Sequence, residues 1–166
     1  GPVHIDFPIN IQFEKIDTEL VISKQLAPCT RDPLPAIDEL VKNSKRPLVI
    51  IGSGARNCNI DQWVKVPCIA SWGGFDVIKA GHPLMIGNHG IYGDRVSNFA
   101  LQNADLIVIL GSRMDNRQTG SNIKACSRAS RKIMVDVDPE EIAKLTEKGF
   151  VIDIPIVNTV QNFISE

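Results

Sequence analysis

One apolar run constrains the fold of this chain more than any other feature of the sequence. Between Asp105 and Leu110, five branched aliphatic residues follow one another without a break. A run this short and this uniformly apolar predicts a strand buried on both faces, as in a parallel sheet covered by helices. Gly111 ends the run, and the nine residues after it are almost all polar. We therefore expect a central strand with a polar loop at its carboxyl end.

The polar loop after this strand is a candidate ligand site, because ligands of open α/β sheets bind just beyond the carboxyl ends of the strands. Two arginines with an aspartate between them can donate paired hydrogen bonds to a phosphate or a carboxylate. A solvated surface loop with an internal ion pair explains the same residues equally well. The candidates in this loop are Gly111, Ser112, Arg113, Asp115 and Arg117.

Further apolar runs and helical patterns predict the rest of the fold. Together with residues 105–110, strands are expected at 47–51, 67–70, 133–137 and 151–154. Helices are expected from the pair Asp32-Pro33, around 61–66, after Asp94, over 139–143 and over 156–164. About five strands alternating with helices predict an α/β fold, a doubly wound and mainly parallel Rossmann-like sheet with helices on both faces.

Two local patterns add detail to this prediction. The helix after Asp94 is expected to bury Val96, Phe99 and Ala100. The glycine-rich residues 82–93 are expected to form a long loop, which in a compact domain is usually functional or disordered.

The first residues have a different pattern from the rest of the chain. Val3, Ile5 and Phe7 alternate with polar residues as in a strand, and no helical pattern develops between Ile9 and Arg31. We interpret residues 1–31 as the end of a preceding domain plus a linker, so that the chain begins inside a larger protein. Residues 32–166 are then one central, nucleotide-binding domain.

Composition argues against several functional classes. The formal net charge of −1 offers no electrostatic basis for binding nucleic acid or an anionic membrane, and 5% aromatic residues provide few stacking platforms for bases. No apolar run reaches membrane-spanning length. The four cysteines form no CxxC pair and the three histidines lack metal-ligand spacing, so no metal site is predicted. We expect a cytoplasmic protein with reduced thiols and neither a nucleic-acid nor a membrane partner.

Small residues also follow two of the other predicted strands. Such turns let backbone N–H groups approach a ligand closely, although a tight turn needs no ligand. An acidic residue at the end of residues 133–137, Asp136, can receive a ribose hydroxyl or simply cap a helix. The turn residues are Gly52, Ser53 and Gly54 after the first strand, and Ser71, Trp72, Gly73 and Gly74 after the second.

Four stretches, in this order, resemble one enzyme family. GPVHIDFPINIQ is similar to a segment that closes the N-terminal domain of acetolactate synthases, and HPLMIGNHGIYGDRVSNFAL is similar to a stretch of their middle domain. GSRMDNRQTG resembles their GARFDDRVTG signature, and KIMVDVDPEEIAK resembles a strand and turn of the same domain. The resemblance covers nearly the whole chain and points to the thiamine-diphosphate-dependent enzymes that include this family.

The resemblance implies the middle domain of a three-domain enzyme that decarboxylates or joins 2-oxo acids. In acetolactate synthases this domain binds FAD, while relatives bind ADP there or bind nothing. The first domain supplies a catalytic glutamate and the third a GDG…N motif for Mg²⁺ and thiamine diphosphate, and neither motif occurs in this sequence. The chain alone is expected to be inactive, with the remaining domains as partners in a homo-oligomeric parent. The alternative is a stand-alone nucleotide-binding or scaffold module without an enzymatic role.

The resemblance places the family's cofactor site at the turns after the first two strands, at the polar loop after the central strand and at a few further positions. Asn88 and His89 stand where the family has Met and Leu, Tyr92 replaces a histidine, and Trp72 and Gly73 replace Leu and Met. The resemblance implies no catalytic and no metal-binding residue in this chain. The further cofactor positions are Asn88, His89 and Gly90 near the flavin ring, Asp136 and Val137 at the ribose, and Asp153 near the adenine.

Overall fold

Six parallel strands form one sheet in the computed structural model of the chain, which describes residues 2–6, 8–15 and 37–165. The strand order is β3-β2-β1-β4-β5-β6, which is the doubly wound arrangement. The predicted fold class is therefore confirmed. The strands are β1 Pro47–Ile51, β2 Cys68–Ala70, β3 Met85–Asn88, β4 Leu106–Leu110, β5 Arg131–Asp136 and β6 Ile154–Val157.

Helices cover both faces of this sheet. Because successive strand side chains point to opposite faces, Ile51 packs in one core with Phe163, and Ile50 packs in the other with Leu101 and Leu145. The strand β4 is completely buried, as its apolar run predicts. The helices are α1 Ile9–Gln12, α2 Ile37–Asn43, α3 Ile60–Trp63, α4 Arg95–Asn103, α5 Asn116–Thr119, α6 Pro139–Glu147 and α7 Val160–Ser165.

Two strands differ from the sequence-based expectation. β3 lies within the glycine-rich stretch that was expected to be a loop, and it pairs with β2 at the edge of the sheet. The last strand was expected at residues 151–154 but begins only at Ile154. Ile156 and Val157, expected in the terminal helix, instead pair with β5. In both strands, backbone pairing with a neighbour outweighs the local side-chain pattern.

The helix α4 buries a different face from the predicted one. Val96 is 67% exposed and Phe99 is 70% exposed, whereas Ser97 and Leu101 are buried. Ala100 is half-buried and packs against the core, as expected. The prediction for Val96 and Phe99 was therefore wrong, because α4 approaches β3 through its small and aliphatic side chains.

The described part of the N-terminal segment also differs from the expectation. Val3 and Ile5 lie in no strand and are exposed. Residues Ile9–Gln12 form a short helix where no helix was expected, and none of its residues is buried. The predictions for Phe7, for the helix start at Asp32-Pro33 and for the domain boundary at residues 31/32 lie outside the described residues.

Helix ends in the second half show two different uses of aspartate. The side chain of Asp138 accepts a hydrogen bond from the Glu140 N–H at 3.0 Å and so caps α6, which extends beyond the predicted end at residue 143 to Glu147. Asp94 precedes α4 but makes no side-chain cap there. Its carboxylate instead accepts from the Asn88 N–H at 2.9 Å, which ties the start of α4 to the end of β3.

Candidate functional site

The strand order reverses between β1 and β4, which opens a crevice at the carboxyl edge of the sheet. From β1 the chain continues outward to β2 and β3, and from β4 it continues in the opposite direction to β5 and β6. Ligands of doubly wound sheets bind at such a reversal. Three segments meet there: residues 52–54 after β1, residues 71–74 after β2 and residues 111–118 after β4.

The glycines on either side of this crevice are required by the packing of one turn against the other. A Cβ on Gly52 would overlap the Gly111 carbonyl oxygen, and one on Gly54 would lie 2.8 Å from the Gly111 Cα. The Gly52 N–H donates to the Leu110 carbonyl at 2.9 Å, and the Gly54 N–H donates to the Gly111 carbonyl at 3.0 Å. These two N–H groups are therefore used within the protein, which agrees with the alternative that a tight turn needs no ligand.

The turn after β2 presents an aromatic ring at the crevice. Ser71 is buried and its N–H donates to the Ile51 carbonyl at 2.9 Å, whereas Trp72 is 73% exposed. The Arg56 guanidinium binds both carboxylate oxygens of Asp76 and also donates to the Gly73 carbonyl at 3.2 Å. Arg56 thus connects the turn after β1 to the turn that carries Trp72.

The loop after β4 is ordered by its own side chains. Asp115 Oδ1 accepts from the N–H groups of Arg117 and Gln118 at 3.0 and 3.2 Å, so this carboxylate caps α5. The buried Ser112 hydroxyl donates to Gln118 Oε1 at 2.7 Å. Met114 is completely buried in a left-handed conformation with φ of 49°. Such strained residues are common at functional sites.

The two arginines of this loop have different surroundings. Arg113 Nη2 lies 2.6 Å from Glu141 Oε1, and its hydrogen bond lowers the pKa of the Glu141 carboxyl. The Arg117 guanidinium makes no hydrogen bond or ion pair with any residue that the structure describes. Neither arginine pairs with Asp115, so the internal ion pair considered for this loop does not form. The guanidinium N–H donors of Arg117 are therefore available to a ligand or to solvent.

Two cavities lie on either side of this loop and share Asp115 and Arg117. The first has a volume of about 460 Å³, within the range of small-molecule sites. The second, about 390 Å³, reaches α6 and the lysines Lys144 and Lys148. The first cavity is lined by Trp72, Gly73, His89, Tyr92, Asp115, Arg117 and Gln118.

His89, the first residue after β3, lines the first cavity. His89 is buried, its ring Nδ1 lies 3.0 Å from the Ala70 carbonyl oxygen, and burial lowers its pKa. Gly90, at φ of 104°, exchanges two 2.8 Å hydrogen bonds with the Asn98 side chain. Three buried polar atoms have no partner among the described residues: His89 Nε2, Asn88 Oδ1 and, on α4, Ser97 Oγ.

Asp136 and Val137 lie at the carboxyl end of β5, one strand beyond the crevice. Asp136 Oδ1 accepts from the Asp138 N–H at 3.0 Å, and burial raises the pKa of the Asp136 carboxyl. Val137 is 62% exposed. Neither residue lines the two cavities beside the loop after β4.

The structure places Asp153 apart from the other candidates. It precedes β6, at the amino edge of the parallel sheet, and its carboxylate accepts from the Lys132 N–H at 2.7 Å. The residue at the carboxyl end of β6 is Asn158, which is buried and whose N–H donates to the Asp136 carbonyl at 3.0 Å. Sequence reasoning missed Asn158 because it placed the last strand several residues too early.

Gln118 and Tyr92 also line the first cavity but were not among the predicted cofactor positions, although Tyr92 is a departure from the family pattern. Gln118 lies inside the polar loop after β4, three residues beyond Asp115, and Tyr92 lies in the glycine-rich stretch. The Tyr92 ring is 72% exposed and packs edge to face against Trp72 at 6.1 Å between centroids. An isolated tyrosine in a polar loop of a chain with few aromatic residues is a sequence feature that could have identified this lining position.

Within the described ranges, no group of three or more His, Cys, Asp or Glu side chains could hold a metal ion. None of the helices there is both long and apolar enough to cross a membrane.

The doubly wound sheet and the lined crevice at its reversal define a Rossmann-like α/β domain. A sequence model of the family described as "Thiamine pyrophosphate enzyme, central domain" matches residues 35–166. The chain belongs to this family.

The similar proteins share one name. The probable acetolactate synthase large subunit of Methanocaldococcus jannaschii is 29% identical, over 100% of this chain and 30% of its own length. The acetolactate synthase isozyme 1 large subunit of Escherichia coli K12 is 28% identical, over 99% of this chain and 31% of its own. Acetolactate synthase 2, chloroplastic, of Zea mays is 29% identical, over 87% and 24%. The chain thus spans about a third or less of the length of these curated relatives.

Proposed function

We propose that this chain is the central domain of an acetolactate synthase-like enzyme and that it binds a nucleotide, FAD or ADP, in the crevice between β1 and β4. The parent enzyme would decarboxylate and join 2-oxo acids. Thiamine diphosphate would supply the carbanion chemistry, held with Mg²⁺ by domains outside this chain. The names of the similar proteins and their greater length support the proposal for the parent.

The observation that carries the nucleotide site is the unpaired Arg117 guanidinium between the two cavities. A guanidinium presents donors in a planar fork that matches phosphate oxygens. Trp72 and Tyr92 expose aromatic rings beside the same cavity, which suits a planar base. A cation and aromatic rings around one cavity fit a nucleotide better than they fit a purely apolar or a purely anionic ligand.

The charged residues of the loop after β4 would have different roles in this site. Arg117 would bind a phosphate oxygen, and the capped α5 turn would hold its backbone in place through Asp115. Arg113, already neutralised by Glu141, would contribute less. A nucleotide across the crevice would connect the segments after β1, β2 and β4, so the domain would contribute structure as well as a binding site.

The parent's partners and location are part of the same proposal. The exposed apolar side chains of α4, Val96 and Phe99, suit contact with the remaining domains or with a second subunit of a homo-oligomer. The described cysteines, Cys58, Cys68 and Cys126, are all free, which suits the reducing cytoplasm.

Titration of FAD and of ADP against three arginine variants tests the nucleotide site. Arg117→Ala should weaken nucleotide binding by about one to two powers of ten, because an arginine–phosphate hydrogen bond contributes roughly 1.5–3 kcal/mol. Arg113→Ala should weaken it less. The control is Arg128→Ala, which removes an exposed arginine that lines neither cavity. Failure of the wild-type chain to bind either nucleotide, or equal affinities of wild type and Arg117→Ala, would reject the site.

A further inference from the structure

The contacts of His89 determine which ring nitrogen carries its proton. The Ala70 carbonyl oxygen accepts from the His89 backbone N–H at 3.1 Å and lies 3.0 Å from the ring Nδ1. A carbonyl oxygen can only accept a hydrogen bond, so Nδ1 must be the protonated nitrogen. In the neutral ring, Nε2 is then a hydrogen-bond acceptor.

This acceptor is buried and has no partner among the described residues. Leaving a buried acceptor unpaired is costly, so native proteins rarely do so. Protonation of Nε2 is opposed by burial, although Asp115 and Gln118 favour it. Arg117 lines the same cavity and adds a positive charge. Nε2 can therefore be satisfied by a donor from a neighbouring side chain or from a ligand.

The Gln118 side chain lines the same cavity beside this ring. In one orientation its Oε1 accepts from Ser112 and leaves His89 Nε2 unpaired. Rotating the amide by half a turn exchanges its oxygen and nitrogen. The nitrogen could then donate to His89 Nε2, and the Ser112 hydroxyl would keep Met114 Sδ at 3.9 Å as its acceptor. In that orientation the exchanged amide oxygen, rather than His89 Nε2, is the group that can accept from a ligand.

We propose that His89, together with Gln118, makes this end of the cavity an acceptor that recognises an N–H group on the edge of a planar heterocycle. His89 is then a specificity-determining residue of the site, and the inference rests on the proposed nucleotide function. The exposed rings of Trp72 and Tyr92 line the same cavity and suit the flat faces of a heterocycle, while Arg117 suits its anionic part. Both the amino group of adenine and the ring N–H of a flavin have this chemistry.

Two matched ligand pairs test the proposal on the wild-type chain. ADP is compared with purine riboside diphosphate, which lacks the amino group, and FMN is compared with N3-methylated FMN, which lacks the ring N–H. If the site binds an adenine nucleotide, ADP should bind about tenfold more tightly than purine riboside diphosphate. If it binds a flavin, FMN should bind about tenfold more tightly than N3-methylated FMN. A preference within the first pair identifies adenine as the bound ring, and a preference within the second identifies a flavin.

Two substitutions attribute this preference to His89. His89→Leu removes the acceptor at similar volume and keeps the backbone hydrogen bond to Ala70, and it should reduce the tenfold preference to about one. His89→Asn retains a donor at the position of Nδ1 but lacks Nε2, so it should lose the preference while preserving the fold. The control is His82→Asn, which lies outside this cavity and should keep the wild-type preference.

The outcomes separate this inference from the proposed function. If the wild-type chain binds nucleotides but does not distinguish either pair, or if His89→Leu and His89→Asn keep the preference, the role of His89 is rejected and the nucleotide site stands. If it binds none of the four ligands and does not bind FAD, both are rejected. Nitrogen-15 NMR of the imidazole should show the proton on Nδ1, and a proton on Nε2 in the free chain would also overturn the inference.

Discussion

At the scale of single residues, burial controls the charge of His89. Burial lowers the pKa of this ring below its ordinary value of 6.5, so the folded chain binds the proton more weakly than the unfolded chain. The stabilisation from the neutral ring is fully present above the unfolded pKa and is lost as the pH falls from about 6.5 through the folded pKa. Protonation therefore favours the unfolded chain.

We expect the wild-type chain to lose more stability between pH 7.5 and pH 5.5 than His89→Asn does. Urea unfolding at both pH values gives the free energy of unfolding for each protein. An equal loss in wild type and His89→Asn would show that the ring does not resist protonation in the folded state.

At the scale of elements, close backbone packing between two turns shapes the site. Gly52→Ala should destabilise the domain by about 1–3 kcal/mol or more, because its Cβ would meet the backbone of Gly111 and Ser112, which cannot rotate away. Gly73→Ala is the matched control, since its Cβ would meet only Ser53 at 3.7 Å, an ordinary contact. Thermal unfolding of both variants measures the difference. Similar melting temperatures would contradict the packing of the turns.

The exposed face of α4 leads to a second prediction at this scale. Phe99→Ser should change the free energy of unfolding by less than about 0.5 kcal/mol, because the Phe99 ring is 70% exposed in this chain. Leu101→Ala, two residues further on the buried face, should cost about 2–5 kcal/mol. Urea unfolding compares the two variants. A cost for Phe99→Ser as large as that for Leu101→Ala would place the helix with its other face on the core.

At the scale of the whole molecule, we expect the isolated chain to form no acetolactate. The family match describes a central domain, and the proposed function assigns thiamine diphosphate and Mg²⁺ to domains outside this chain. Pyruvate is incubated with the chain, thiamine diphosphate and Mg²⁺, and acetolactate is assayed against a complete acetolactate synthase as positive control. Turnover above background by the chain alone would overturn its assignment as a non-catalytic domain.

The central strands could be predicted because a buried strand is a local property of the sequence. Residues 47–51 and 106–110 are continuous apolar runs, and the structure places them side by side as β1 and β4. The position of the candidate site follows from the same runs, because the loop after a central strand must emerge at the carboxyl edge. The sequence by itself thus determined the fold class, the middle of the sheet and the loop that lines both cavities.

Only the tertiary structure decided the edges of the sheet and the chemistry of the site. β3 is a strand because its backbone pairs with β2. The backbone of β6 pairs with β5 as far as Val157, and this pairing places Asn158 at the carboxyl end of the last strand. Arg113 differs from Arg117 because Glu141, 28 residues away, reaches only the first. His89 Nδ1 donates its hydrogen bond to the Ala70 carbonyl, which leaves Nε2 of the neutral ring as an acceptor. Each of these outcomes depends on partners distant in sequence, and side-chain periodicity does not record such partners.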